Sequence, residues 1–383
     1  VKLFAFGLGY SSLALLRRLG PRLDRASGTV RSQAKAAALQ ARGVVARVFD
    51  GEQADPAIDD DLAGADALLI SVPPGPSGDP VLRHFSQKIA AAPGLCWVGY
   101  LSTIGVYGDR GGAWVTEADA PHPTSPRSVA RLAAEQGWLD LGARARVPTV
   151  VLRLAGIYGP GQNALVNLAE GTARRVIKPG QVFNRIHVDD IASAIEASMQ
   201  RPRAGAVYNL TDDEPSPPQD VVAHAAALLG VEPPPAVDIE AAGLSPMGRS
   251  FFDENKRASS ALARGELGWA PRYPSYREGL AALLEAGDGR RVASPLSTRY
   301  LGITLAPPPR PSAACAFSRR LVEPAHPTPR DCPGSSASRK YASRPPILSR
   351  LDRLPPPRSS RSPESAEPTR ARKSLGQPPG CFR

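Results

Sequence analysis

The chain has 383 residues with a formal net charge of +11, long enough for one large domain or two ordinary ones with an ample apolar core. The charge is confined: from Leu301 to Arg383 there are 15 Lys/Arg against 5 Asp/Glu, and 17 of the 41 prolines lie there too. The remaining 300 residues are close to neutral and carry no basic stripe of the kind that reads DNA, so a nucleic-acid function would rest on the tail alone. No apolar run approaches the length of a membrane span, and the chain opens directly on a core-type strand. The expectation is a cytoplasmic protein without membrane or nucleic-acid partners for its folded body. No CxxC pair or Cys/His cluster suggests a metal.

Leu3 to Phe6 reads as a strand ending in Gly7, and from Leu13 to Leu19 the apolar residues recur at helical spacing. A strand at Gly28 to Val30, a helix from Gln33 to Ala41 and a strand from Val44 to Phe49 follow. Ala67 to Val72 is a fourth strand, Pro80 to Ala91 a helix, and Leu95 to Val98 a fifth strand. Beyond it come a helix from Arg127 to Leu141, a strand from Val147 to Leu152, helices over Ile191 to Met199, Val221 to Leu229 and Tyr276 to Leu284, and a strand at Ala206 to Leu210. Apolar strands separated by single helices predict an α/β fold, a doubly wound parallel sheet covered on both faces. No linker detaches a domain before about residue 285. The expected organisation is one body over 1–285, with an integrated substrate-side lobe from about 155 to 285, and a Pro/Arg/Ser-rich tail over 286–383 too poor in apolar residues to fold.

Gly7-Leu8-Gly9-Tyr10-Ser11-Ser12 places Gly7, Gly9 and Ser12 at the three small positions of a GxGxxG turn between the first strand and first helix. Such a turn bends tightly, brings backbone near a pyrophosphate and lets helix and strand close together. At the end of the second strand, where an acid would favour NAD, stand Arg31 and Ser32, so the residues favour NADP over NAD. Asp50, ending the third strand, is placed to accept from an adenine amino group or to cap the next turn. Ser71, Val72 and Pro73 leave the fourth strand where ligands of parallel sheets bind. The expected cofactor contacts are thus Gly7, Gly9, Tyr10, Ser11, Ser12, Arg31, Ser32, Asp50, Ser71, Val72 and Pro73.

Further segments carry a resemblance: Leu101-Ser102-Thr103-Ile104-Gly105-Val106-Tyr107-Gly108, Arg153 to Gly161, Arg185-Ile186-His187-Val188-Asp189-Asp190, Val207 to Leu210 and Asn255-Lys256-Arg257. Together with the glycine turn they make residues 2 to 284 resemble the extended and atypical short-chain dehydrogenase/reductase family, in particular NAD(P)-dependent epimerase/dehydratase proteins. The resemblance implies a Rossmann fold, a small hydroxyl, carbonyl or sugar-nucleotide-like substrate, and a monomer or homodimer. It also implies that Thr103, with Ser102 beside it, orients the substrate oxygen.

The family's Tyr and Lys, four residues apart, fall at Arg127 and Arg131. A guanidinium stays protonated and cannot be the general acid/base. This pair either clamps a substrate carboxylate or phosphate, or faces solvent with Glu135 near Arg131. Tyr107, Tyr158 and His187 are the other proton-transfer candidates by context; Asn163 and Arg185, with His187, are candidate substrate contacts. Two readings follow: an NADP-dependent oxidoreductase or epimerase, and a non-catalytic protein that senses the cofactor's redox ratio.

Overall fold

The computed structural model describes residues 1–290; the expected tail lies, from residue 291, outside the described residues. The first half alternates: β1 (Lys2–Phe6), α1 (Tyr10–Leu19), β2 (Arg25–Val30), α2 (Gln33–Gln40), β3 (Val45–Val48), α3 (Ile58–Ala63), β4 (Ala67–Ile70), α4 (Pro80–Ala91) and β5 (Trp97–Thr103). The second half is less regular. It runs through β6 (Trp114–Val115), α5 (Pro126–Ala145), β7 (Thr149–Leu154), β8 (Gly156–Tyr158), α6 (Ala164–Ala169), β9 (Arg175–Ile177), β10 (Arg185–His187), α7 (Val188–Gln200) and β11 (Val207–Leu210). It closes with α8 (Pro218–Leu229), β12 (Ala236–Asp238), α9 (Pro246–Ser250), β13 (Arg257–Ala258), α10 (Ala261–Leu267) and α11 (Tyr276–Glu285).

Seven strands form one sheet in the order β11-β7-β5-β4-β1-β2-β3, every neighbouring pair parallel. This is a doubly wound Rossmann-type sheet. The central strands β1, from Leu3, and β4 read as unbroken apolar runs because alternate side chains serve two cores. Leu3 and Ala5 of β1 point into the core shared with α1 and α7, whereas Phe4 and Phe6 point into the one shared with α4 and α5. Tyr158, Leu165, Val221, Tyr276 and Leu280 make a third, smaller cluster beneath α6, α8 and α11. The chain winds outward one way from β1 through β2 to β3 and the other way from β4, so the strand order reverses between β1 and β4. A crevice opens at the carboxyl ends of strands at such a reversal.

Two departures from the sequence reading bear on the site. β5 continues to Thr103, five residues past the expected end, so Ser102 and Thr103 are strand residues with opposite faces. The pairs β8–β10, β9–β12 and β6–β13 are two or three residues long, too short to carry a period. They fold the chain after β5 and β7 over the carboxyl edge of the sheet.

Candidate active site

β1 ends at Phe6, and Gly7 turns the chain at φ +93, a conformation open to glycine and strained for other residues. The turn is bolted to β2 by a single residue. Gly7 N donates to Thr29 Oγ1 at 2.9 Å, and Leu8 N donates to the Thr29 carbonyl at 2.7 Å. Ser12, at the third small position, is fully buried and its hydroxyl donates to Gly7 O at 2.7 Å. A serine therefore serves here by closing a hydrogen bond across the turn. A Cβ on Gly7 would stand 3.2 Å from Val72 Cγ2 and 3.3 Å from Val72 N, so the β1 turn and the β4 loop approach backbone to backbone.

Gly9 caps α1 without a side-chain bond, and the first turn of α1 carries no acid. Its N-terminal amides and the positive end of its dipole are thus left without an internal anion. This end adjoins a cleft of about 450 Å³ lined by Gly7, Gly9, Asp50, Ser71, Val72 and Pro73. Bare glycines, an uncapped helix start and a stiff proline wall fit the pyrophosphate and adjoining ribose of a dinucleotide. Tyr10 instead reaches across the fold, its hydroxyl donating to Pro160 O at 3.0 Å, and Ser11 is buried in α1. Asp50 Oδ1 accepts from the amides of Glu52 (2.9 Å) and Gln53 (2.7 Å), which hold its carboxyl below the usual range. It caps its own turn at the edge of the cleft.

A second cleft of about 820 Å³ adjoins the first, with Pro73 lining both. Thr103 reaches it from the end of β5, where its Oγ1 accepts from Gly105 N at 3.1 Å. Ser128 and Ser125, at the start of α5, also line it; the Ser125 hydroxyl donates to Ser128 Oγ at 2.9 Å. Arg127 and Arg131 both face this cleft. Arg131 Nη1 donates to Leu101 O at 3.0 Å and to the Tyr100 hydroxyl at 3.2 Å; Arg127 lies over the Phe251 ring at 5.5 Å. Glu135 is not the partner of Arg131: it pairs with Arg153 at 2.7 Å.

Four expected site residues are placed elsewhere. Ser102, one residue before Thr103, points to the opposite face of β5 and donates to Glu135 Oε1. Glu135 carries the ion pair with Arg153, Arg153 Nη1 donates to the Tyr107 hydroxyl (2.9 Å), and Tyr107 donates to Asn209 Oδ1 (2.9 Å). This closed, buried chain ties β5, α5, β7 and β11 together. Tyr107 is fully buried in it, and burial pushes its hydroxyl up, opposed by Arg153. Asn163 caps α6, accepting from Leu165 N and Val166 N while its amide donates to Gly159 O and Asp288 Oδ2. His187 caps α7 through Nδ1, which accepts from Asp189 N at 3.1 Å, and packs against the rings of Tyr158 and Tyr273. Burial lowers it to about 4, and its Nε2 is buried without a hydrogen-bond partner among the described residues.

Arg185 lines the cleft, but its Nη1 turns back to Phe183 O, Ser216 O and Ser216 Oγ. Ser128, Lys256, Glu254 and Phe251 also stand in the cleft wall, a placement that no local sequence pattern marks. Lys256 is buried, donating to Gly108 O (2.8 Å) and pairing with Glu254 (2.6 Å). Ser125-Pro126 does carry a helix-start signal. Phe251 carries none, since it arrives from a segment more than 100 residues away.

Residues 90–211 match the model of the NAD dependent epimerase/dehydratase family. Protein YeeZ of Escherichia coli K12 is 30% identical over 244 residues, covering 61% of this chain and 85% of that protein. The 3-diazoavenalumate denitrifying reductase of a Streptomyces species is 33% identical over 178 residues, 42% of this chain; the match spans only 55% of that enzyme's length. A solved conserved protein of unknown function from Silicibacter pomeroyi DSS is 48% identical, with a TM-score of 0.67, covering 74% of this chain and 99% of the other.

The expectation of NADP is corrected by the solved structures. UDP-glucuronic acid 4-epimerase from Bacillus cereus shares the fold (TM-score 0.58, 18% identity, 74% of this chain and 98% of that one) and is in complex with NAD. MoeE5, too, is in complex with NAD. Ser32 is the N-cap of α2, its Oγ accepting from Lys35 N, and Arg31 is an exposed side chain at the cleft rim.

Proposed function

Because the chain belongs to the NAD dependent epimerase/dehydratase family, we propose that it is an NAD-dependent oxidoreductase or epimerase. Its substrate is a small molecule reacting at a hydroxyl or carbonyl group, sugar nucleotides being the class that the family resemblance implies. The observation that carries this reading is the meeting of two clefts at Pro73: one bordered by the glycine turn, the other holding Thr103 at the carboxyl end of β5. When bound, NAD supplies a hydride acceptor or, reduced, a hydride donor. Gly7, Gly9 and the start of α1 hold its pyrophosphate, and Ser71 to Pro73 form the wall beside its ribose.

Thr103 orients the reacting oxygen. No tyrosine stands where the family resemblance places one, and a guanidinium is a donor without acceptor capacity. The hydroxyls at the reacting end are those of Thr103, Ser128 and Ser125, which can orient a substrate oxygen or the water that exchanges its proton. A Cβ on Gly105 would meet Ser128 Oγ at 3.1 Å and Thr103 Oγ1 at 3.4 Å, so both hydroxyls flank that glycine, and Ser125 continues the line from Ser128 toward the half-exposed start of α5. Thr103→Val is expected to keep NADH affinity while losing at least tenfold in turnover, measured by calorimetry and by NADH absorbance across a panel of carbonyl compounds and sugar nucleotides. The arginines at the Tyr and Lys positions favour one other reading, a dinucleotide-binding protein without turnover. NADH binding with no consumption across the whole panel would select it.

A further inference from the structure

We propose that the 820 Å³ cleft is built for an acid with an apolar body, its carboxylate held between Arg127 and Arg131 beside Thr103, rather than for a nucleotide diphosphate. This rests on the reading above and narrows its substrate. The two arginines stand four residues apart on α5, so their side chains leave one face of the helix, and both line the same cleft. Among the described residues neither has a carboxylate within ion-pair distance.

The cleft's own acid cannot serve them. Glu254 Oε2 is taken by Lys256 and Oε1 by the Thr124 hydroxyl. Arg185, the other guanidinium of the wall, is turned to backbone carbonyls. Arg131 feels the charge of Asp79, but that carboxylate is buried and committed to the start of α4 and to the Trp138 indole, so both guanidiniums lack an acidic partner on the cleft side. Arg131 is also pre-set: Nη1 is fixed by Leu101 O and Tyr100, leaving Nε and Nη2 as a fork suited to a planar carboxylate.

The opposite wall is apolar and wet. Phe251 is 56% exposed and Ile157 40% exposed although both border a concave cleft, and Phe252 and Pro74 extend the surface. Exposed aromatic surface in a concavity marks a place where a ligand's apolar part is removed from water. Arg127 over the Phe251 ring joins the two poles. Position decides between anions. The arginines flank Thr103, the reacting end; a diphosphate there would occupy the place of the reacting oxygen, whereas a carboxylate bonded at or next to the reacting carbon shares it.

Calorimetry on the full-length protein saturated with NADH tests this, with 3-phenylpropanoate, its neutral amide 3-phenylpropanamide, inorganic phosphate and UDP-glucose as probes. The carboxylate is expected to bind at least tenfold more tightly than the amide and than phosphate. Arg127→Gln and Arg131→Gln should each weaken it tenfold or more, the first with an unchanged thermal midpoint and the second with a small loss from its bonds to Leu101 O and Tyr100, and Arg131→Lys should restore part of the lost affinity. Equal affinity for acid and amide, an unchanged affinity in both glutamine variants, or tighter binding of UDP-glucose would overturn the proposal. Failure of NADH to bind at all would instead defeat the enzymatic reading, while the carboxylate titration of the cofactor-free protein would still report on the cleft.

Discussion

Thr29 holds the glycine turn from two sides, by hydroxyl and by carbonyl, so the turn's shape is a property of β2 as much as of β1. Gly7 has no such latitude: at φ +93 a side chain costs about 1–2 kcal/mol, and its Cβ would press on Val72. Gly7→Ala is expected to weaken NADH at least tenfold in a calorimetric titration, with a small loss in thermal midpoint. The Ser102–Glu135–Arg153–Tyr107 chain is buried and lies outside the lining of the cleft. Arg153→Met strands the Glu135 carboxylate, 2% exposed, and breaking one side of a buried pair costs about 3–5 kcal/mol. Urea unfolding should show that loss, and the double variant Glu135→Leu/Arg153→Met should recover part of it because no buried charge is left.

Among the elements, helix starts do most of the placing. Ser125 and Pro126 begin α5 so that Arg127, Ser128 and Arg131 meet the cleft within two turns. Asp79 caps α4 through Val81 N and Leu82 N and accepts from the Trp138 indole, which joins α4 to α5. α11 starts on a capping box, Ser275 with Glu278, and buries Tyr276 and Leu280 in the third cluster. Ser275→Ala should cost about 1 kcal/mol, read as a lower urea midpoint with unchanged slope. The long helices and central strands were legible from periodicity. The two- and three-residue strands and the six-residue α3 were not, because their existence depends on partners distant in the chain.

Across the whole molecule, three buried carboxyl and imidazole groups among the described residues carry large shifts: Asp212 and Asp190, which burial pushes up to about 8 and about 6, pull one way and His187 the other. Burial pushes the Asp212 carboxyl up to about 8 from an ordinary 3.8, opposed by Arg185. The folded state therefore keeps a proton that the unfolded chain has lost, and stability falls as pH rises from about 4 to 8. Burial lowers His187 to about 4 from 6.5, so the unfolded chain takes up a proton first, and stability falls as pH drops from 6.5 to 4. Asp190 and His187 have largely completed their change by pH 6.5, so between 6.5 and 8 Asp212 contributes most among these groups. The native protein should lose about 2 kcal/mol over that interval, whereas Asp212→Asn should stay flat, as chemical denaturation at a series of pH values will show. No helix among the described residues is long and apolar enough to cross a membrane.

Local spacing along the chain carries the alternation of strand and helix, the parallel sheet covered on both faces, and the glycine turn at the end of the first strand. It did not reveal the facing of β5. When both faces of a strand are apolar, period two does not say which side holds the ligand, and only the packed sheet sends Thr103 to the cleft and Ser102 to the ion-pair chain. The same holds for the arginines: their spacing put them on one helical face, but the tertiary structure alone turned that face to the cleft, gave Glu135 to Arg153, and brought Phe251 beneath Arg127 from the far end of the fold.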